Sequence, residues 1–176
     1  GYKDTFLFFN LGPEHIPNEF RWAHEADPDA ILYLNDAGAE GLGAKSDWIY
    51  EYVRDLKESD VPIHGVGFQM HVTLEDAPVP EDVALNIARL NELGLETQIT
   101  EIDIRLELPA DDRKLEDQAR IYADYLRVCL EAENCTAFVM WGHSDLYSWV
   151  PHMFEGYGSA LIFDEEFQPK PAYDSL

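Results

Sequence analysis

Apolar residues along this chain recur at two periods, and the alternation between them predicts helices and strands in turn. A helix is predicted over 15–26, with Pro17 in its first turn, where a missing N–H does no harm. A strand over 30–34 runs into Asn35-Asp36. Ile49, Val53 and Leu56 fall at helical spacing in a helix over 46–58, closed by Val61-Pro62. Residues 65–71 read as a buried strand ending in Gln69 and His71, and 80–93 as a helix stopped by Gly94. A strand over 96–104, the longest helix over 115–130 and a last strand over 136–141 follow. The tail carries Phe163-Asp164 and the turn-like Gln168-Pro169-Lys170-Pro171.

Four helix-then-strand units, with strand starts about 30 to 40 residues apart, predict a parallel sheet with helical crossovers. At 176 residues the chain forms one core. A complete eight-fold (β/α) barrel typically takes about 250 residues, so four units amount to half of a barrel of the TIM type.

Composition narrows the partners. Hydrophobic residues make up 46%, yet no run approaches the roughly 18 apolar residues of a membrane span, so a soluble chain is expected. Gly1-Tyr2-Lys3-Asp4 lacks the residue order of a secretory signal. The net charge of −23, from 35 acidic against 12 basic residues, disfavours nucleic acid and suits a neutral substrate; it fits a high-salt habitat or an ordinarily acidic protein equally. Cys129 and Cys135 are too few for a zinc site and form no CxxC motif. A disulfide closing their short loop, in an extracellular or periplasmic setting, and two buried thiols are both compatible with the spacing.

Candidate chemistry gathers at the strands' carboxyl ends, where α/β folds bind ligands. Strand alternation puts Glu101 and Asp103 on one face, although solvated acids at a strand end have the same pattern. Asn35, Gln69, His71 and Trp141 end the other strands. His71 alone also fits a hydrogen-bonded core histidine. Trp141 and Trp149, with Tyr147 between them, suit either a core or stacking on sugar faces, and Asp145 is placed to cap the turn that carries them. A metal site of His71, Glu101, His143 and Asp145 is an alternative. The Gly-rich stretch 38–43 lacks the Lys-Ser/Thr ending of a phosphate loop.

The ordered blocks YLNDAGAEG (33–41), VPIHGVGFQMH (61–71), LGLETQITEIDI (93–104), FVMWGHSDLYSWVP (138–151) and LIFDEEFQPKPAYDSL (161–176) resemble the C-terminal half of the catalytic domain of family 10 glycoside hydrolases, the endo-β-1,4-xylanases. The resemblance runs over 1–176 and implies a retaining (β/α)8 enzyme acting on xylan without a cofactor. It implies Glu101 as nucleophile, oriented by His71, which Asp103 supports. It further implies Asn35 and Gln69 in the same pocket, Trp141 and Trp149 as walls of the sugar site, a disulfide between Cys129 and Cys135, and secretion.

Two departures accompany it. The family's NDYN block reads Asn35-Asp36-Ala37-Gly38, so an aromatic and an amide on the leaving-group side are replaced. The family's acid/base glutamate, in a WDVVNE-like block on the fourth barrel strand, has no counterpart, and retaining chemistry needs that second carboxyl about 5 to 5.5 Å from the nucleophile. Little hydrolysis is therefore expected from this chain alone. Open sheet edges are expected to be covered by a complementing N-terminal half barrel, a second copy of the chain or a rearranged sheet. A non-catalytic oligosaccharide-binding half barrel is the alternative function.

Overall fold

The computed structural model describes the backbone of residues 6–176 and the side chains from Phe9 onward. Gly1 to Asp4, read above for a leader, lie outside the described residues. Helices α1 (Phe6–Leu11) and α2 (His15–Ala26) lead into strand β1 (Tyr33–Asp36) and helix α3 (Ala44–Glu58). Strands β2 (Gly65–Phe68) and β3 (His71–Thr73), helix α4 (Pro80–Glu92), strand β4 (Glu96–Glu107), helix α5 (Asp112–Glu131) and strand β5 (Cys135–Met140) follow. Helix α6 (Val150–Met153), strand β6 (Tyr157–Gly158) and helix α7 (Pro171–Ser175) complete the chain.

The main sheet runs β1-β2-β4-β5, all parallel, with β3 and the antiparallel β6 on the distal part of β4. Among the described residues β1 pairs only with β2 and β5 only with β4, so the sheet is an open half barrel, as the periodicity predicts.

Helix periodicity explains which faces pack. Ile49, Val53 and Leu56 of α3, Val83, Ile87 and Leu90 of α4, and Tyr122, Tyr125 and Val128 of α5 are buried against Val66, Phe68 and Ile99 of the sheet. Each buried aliphatic side chain contributes about 1.5–3 kcal/mol. Helix α4 ends where Gly94, at φ +68°, supplies the left-handed residue of the cap. Asp111 caps α5 by accepting from the Lys114 N–H, which starts that helix earlier than apolar spacing suggests.

Four strands differ in extent from the sequence reading, the last, β5, only by one residue at each end. A turn closed by the Asp27 side chain and carbonyl occupies 27–30, so β1 begins at Tyr33 and contains Asn35 and Asp36. The strand expected over 65–71 is broken, because Met70 takes φ +66°. β4 continues to Glu107 because β3 and β6 pair with its far end.

The concave face is polar and open. Tyr33 hydrogen-bonds the Glu96 carboxylate, Gln98 donates to Thr136 at 3.1 Å, and Thr100 donates to Asn35 at 2.8 Å. Burial, then the Glu96 hydrogen bond, raises the Tyr33 pKa. Among the described residues no helix is long and apolar enough to cross a membrane.

Candidate active site

The site is built where β4 breaks its alternation. Against β2 and β3 the residue offset of β4 changes from 31 (Phe68↔Ile99) to 32 (His71↔Asp103); against β5 it changes from 39 (Ile99↔Phe138) to 38 (Ile102↔Met140). Both neighbours therefore meet one extra β4 residue after Ile99, a bulge. Without it, Ile102 and Ile104 would follow Gln98 and Thr100 onto the concave face. With it, those isoleucines are fully buried, and Glu101 shares with Thr100 a hydrogen-bond partner on that face, Asn35.

Each oxygen of Glu101 has a named partner. Asn35 Nδ2 donates to Oε1 at 2.8 Å, and His71 Nε2 lies 3.2 Å from Oε2. Thr100, by donating to Asn35 Oδ1, turns the amide so that its NH2 faces Glu101. Gly67 leaves the room: a Cβ there would sit 2.6 Å from Asn35 Oδ1.

His71 bridges two carboxylates. Its Nδ1 is 3.0 Å from Oδ2 of Asp103, which is fully buried and also accepts from Trp149 Nε1 at 2.7 Å. Burial disfavours the imidazolium, but the hydrogen bonds and charges of Asp103 and then Glu101 outweigh it, so the His71 pKa is raised. When protonated, the ring donates from both nitrogens, to Oδ2 of Asp103 and to Oε2 of Glu101, while Oδ1 of Asp103 is buried without a partner among the described residues. Trp141 and Trp149 stand edge-on to the same imidazole, with centroids 6.2 and 5.0 Å away, and Trp141 is 49% exposed. Glu101 and the two tryptophans thus gather around His71. A carboxylate held by two donors can act there as an oxygen nucleophile or base.

Beside His71 opens a pocket of about 410 Å3, lined in part by Gly38, Gly43, Lys45, Asp76 and Pro78. It lies on the segment whose NDYN-like block is altered, and Lys45 pairs there with Asp36 at 3.1 Å.

Other expected residues lie apart. Gln69 is half-buried at the strand break; its backbone N–H donates to the Asp36 carbonyl, and its side chain has no hydrogen bond among the described residues. Tyr147 lies against Phe167, with ring centroids 6.2 Å apart. Asp145 does not cap its turn; Ser144 does, by accepting from the Leu146 N–H, while Asp145 is buried in an ion pair with Lys170 at 2.9 Å. His143 lies against Phe167, and among the described residues no cluster of three His, Cys, Asp or Glu is arranged to hold a metal. Cys129 and Cys135 are joined by a disulfide.

The sequence reading missed Thr100 and Arg105. Thr100 is a polar residue inside an apolar run, which is a visible signal. Arg105 lies over the Phe154 ring at 4.3 Å and donates to the His71 carbonyl at 3.3 Å, contacts between segments that no local pattern reveals.

An open parallel sheet with its polar cluster at the carboxyl ends of the strands defines half of a (β/α) barrel with a barrel-type site. The Glycosyl hydrolase family 10 model matches residues 1–176, and the chain belongs to that family. It is 43% identical over 176 residues to endo-1,4-beta-xylanase B of Thermotoga neapolitana, covering 99% of this chain and 51% of the relative. It is 38% identical to the endo-1,4-beta-xylanase of Agaricus bisporus, at 99% and 52% coverage. Among solved structures, xylanase 10B from Thermotoga petrophila RKU-1 in complex with xylobiose superposes with a TM-score of 0.96 at 42% identity, covering 99% of this chain and 54% of that one. The chain spans about half the length of the curated relatives it matches.

Proposed function

We propose that this chain is the nucleophile-bearing half of a retaining endo-1,4-β-xylanase. The observation that carries the reading is Glu101 itself, hydrogen-bonded by Asn35 and by His71, against whose ring Trp141 and Trp149 also pack. The relatives named as xylanases and the xylobiose bound to the Thermotoga petrophila enzyme support xylan as the substrate class.

In this reading Glu101 attacks the anomeric carbon of a sugar packed between the indoles and forms a covalent glycosyl intermediate that water then hydrolyses. Asn35 and His71 hold and aim the attacking carboxylate, and Asp103 holds His71. The carboxyl that protonates the leaving oxygen is supplied by a complementing N-terminal half barrel seated on the free edges of β1 and β5. A pocket of about 390 Å3 lined in part by Ile16, Phe20, Leu32 and Leu34 lies beside the first of those edges. The disulfide supports an extracellular setting.

Mixing the chain with a separately expressed N-terminal half tests this. Xylan hydrolysis is expected only in the mixture and is abolished by Glu101→Gln; activity of that variant comparable to the unaltered chain rejects the assignment. Calorimetric binding of xylo-oligosaccharides without turnover in any mixture favours a binding protein instead. Light scattering that finds a stable dimer of the chain alone points to self-completion.

A further inference from the structure

The strand break before His71 is held from outside the site. Met70 sits at φ +66°, which side chains other than glycine rarely adopt, and its own side chain is fully buried. Its N–H, lost to the sheet at the break, donates to Oε1 of Glu40 at 3.0 Å. The same oxygen accepts from the Gly38 N–H at 2.9 Å. Glu40 is 4% exposed, and among the described residues no cation pairs with it, so these two N–H groups are what compensates a buried carboxylate.

The loop behind it is anchored. Asn86 of α4, also buried, donates to the carbonyls of Ala39 and Glu40 at 2.8 and 3.0 Å. The chain beyond the break is tied too: the Met70 carbonyl accepts from the Asp103 N–H and the His71 carbonyl from Arg105, each at 3.3 Å.

We propose that Glu40 is a positioning residue for His71: its carboxylate fixes the left-handed Met70 peptide and so directs the imidazole between Glu101 and Asp103. The catalytic value of this placement rests on the function proposed above, whereas the placement itself does not. Its test therefore reads the imidazole and needs no turnover.

Glu40→Gln keeps an oxygen able to accept both N–H bonds, and Glu40→Ala removes it, while both remove the same charge. In the 176-residue chain, NMR titration of the His71 ring is expected to give similar pKa values for the unaltered chain and Glu40→Gln. For Glu40→Ala the pKa falls by about 1 as the Asp103 contact loosens, and the Trp149 indole N–H resonance shifts. Equal values in all three proteins, or equal falls in both variants, overturn the proposal. Should Glu40→Ala not fold, hydrogen exchange on the unaltered chain decides: the Met70 amide is expected to be protected like its strand neighbours Val66 and Gly67, and exchange at the rate of an exposed loop overturns it.

Discussion

The indole N–H of Trp149 donates to Asp103 Oδ2 at 2.7 Å, the same oxygen that faces His71. One buried carboxylate thus fixes both an indole and the imidazole that contacts Glu101. Trp149→Phe keeps an aromatic ring and removes the donor, leaving that buried oxygen with one partner. The expected cost is about 1–3 kcal/mol of stability, read from urea unfolding midpoints. A change near zero would show that the indole is held by packing against Phe154 instead.

The pH dependence of stability follows from the raised pKa of His71, with a definite sign. A histidine that binds its proton more tightly when folded stabilises fully below its unfolded value of about 6.5, and that contribution disappears as pH rises through the folded value. Stability relative to His71→Asn should therefore be greater at pH 6 than at pH 9. Denaturant titrations of both proteins across that range check it; a constant difference contradicts it.

The helices and the parallel order were legible because apolar spacing on α3, α4 and α5 matches the faces they bury. Glu101 and Asp103 were legible as a same-face pair because alternation holds over those three residues. The bulge after Ile99 leaves a trace in the sequence, the step of three from Ile99 to Ile102 that interrupts the alternation and puts Thr100 and Glu101 on the same face. The break at Met70 leaves none. Nothing in a Met residue signals a left-handed backbone, and its support comes from Glu40, thirty positions away. Asp145 was misread because its partner, Lys170, lies at the far end of the chain.

Gly67 is required by its neighbour across the strand pair. In Gly67→Ala the new methyl meets Asn35 Oδ1 and, at 3.0 Å, the Thr100 methyl. Because Asn35 is exposed and can rotate away, the stability cost should stay near 1 kcal/mol, yet rotation breaks the Asn35 to Glu101 hydrogen bond. The Asn35 side-chain amide resonances report this directly. If they keep their unaltered positions, Asn35 has not rotated and its contact with Gly67 does not set the amide's place.

The disulfide joins the last turn of α5 to the start of β5 across a separation of 6 residues. Loop-closure entropy for so short a loop corresponds to about 2 to 2.5 kcal/mol. Reduction should lower the unfolding free energy by that amount, read as a fall in the urea midpoint equal to that energy divided by the slope of the transition. A larger loss would mean that the thiols also disturb the packing of Cys129, which is buried in the core.

Lys170 and Asp145 form an ion pair 2.9 Å long between side chains 6% and 3% exposed. Burial raises the Asp145 pKa and lowers that of Lys170, while their mutual attraction opposes both shifts. Asp145 also accepts from the Leu161 N–H at 2.8 Å, and Lys170 donates to the Ser159 carbonyl at 2.8 Å. The pair therefore pins the C-terminal segment to the turn that precedes Trp149. Lys170→Met strands a buried carboxylate and should cost about 3–5 kcal/mol, as should Asp145→Leu for the converse reason. The double variant strands neither charge, so its cost should fall well below the sum of the two. Thermal or urea unfolding of the four proteins measures the coupling, and strict additivity would mean that the two charges do not depend on each other for their burial.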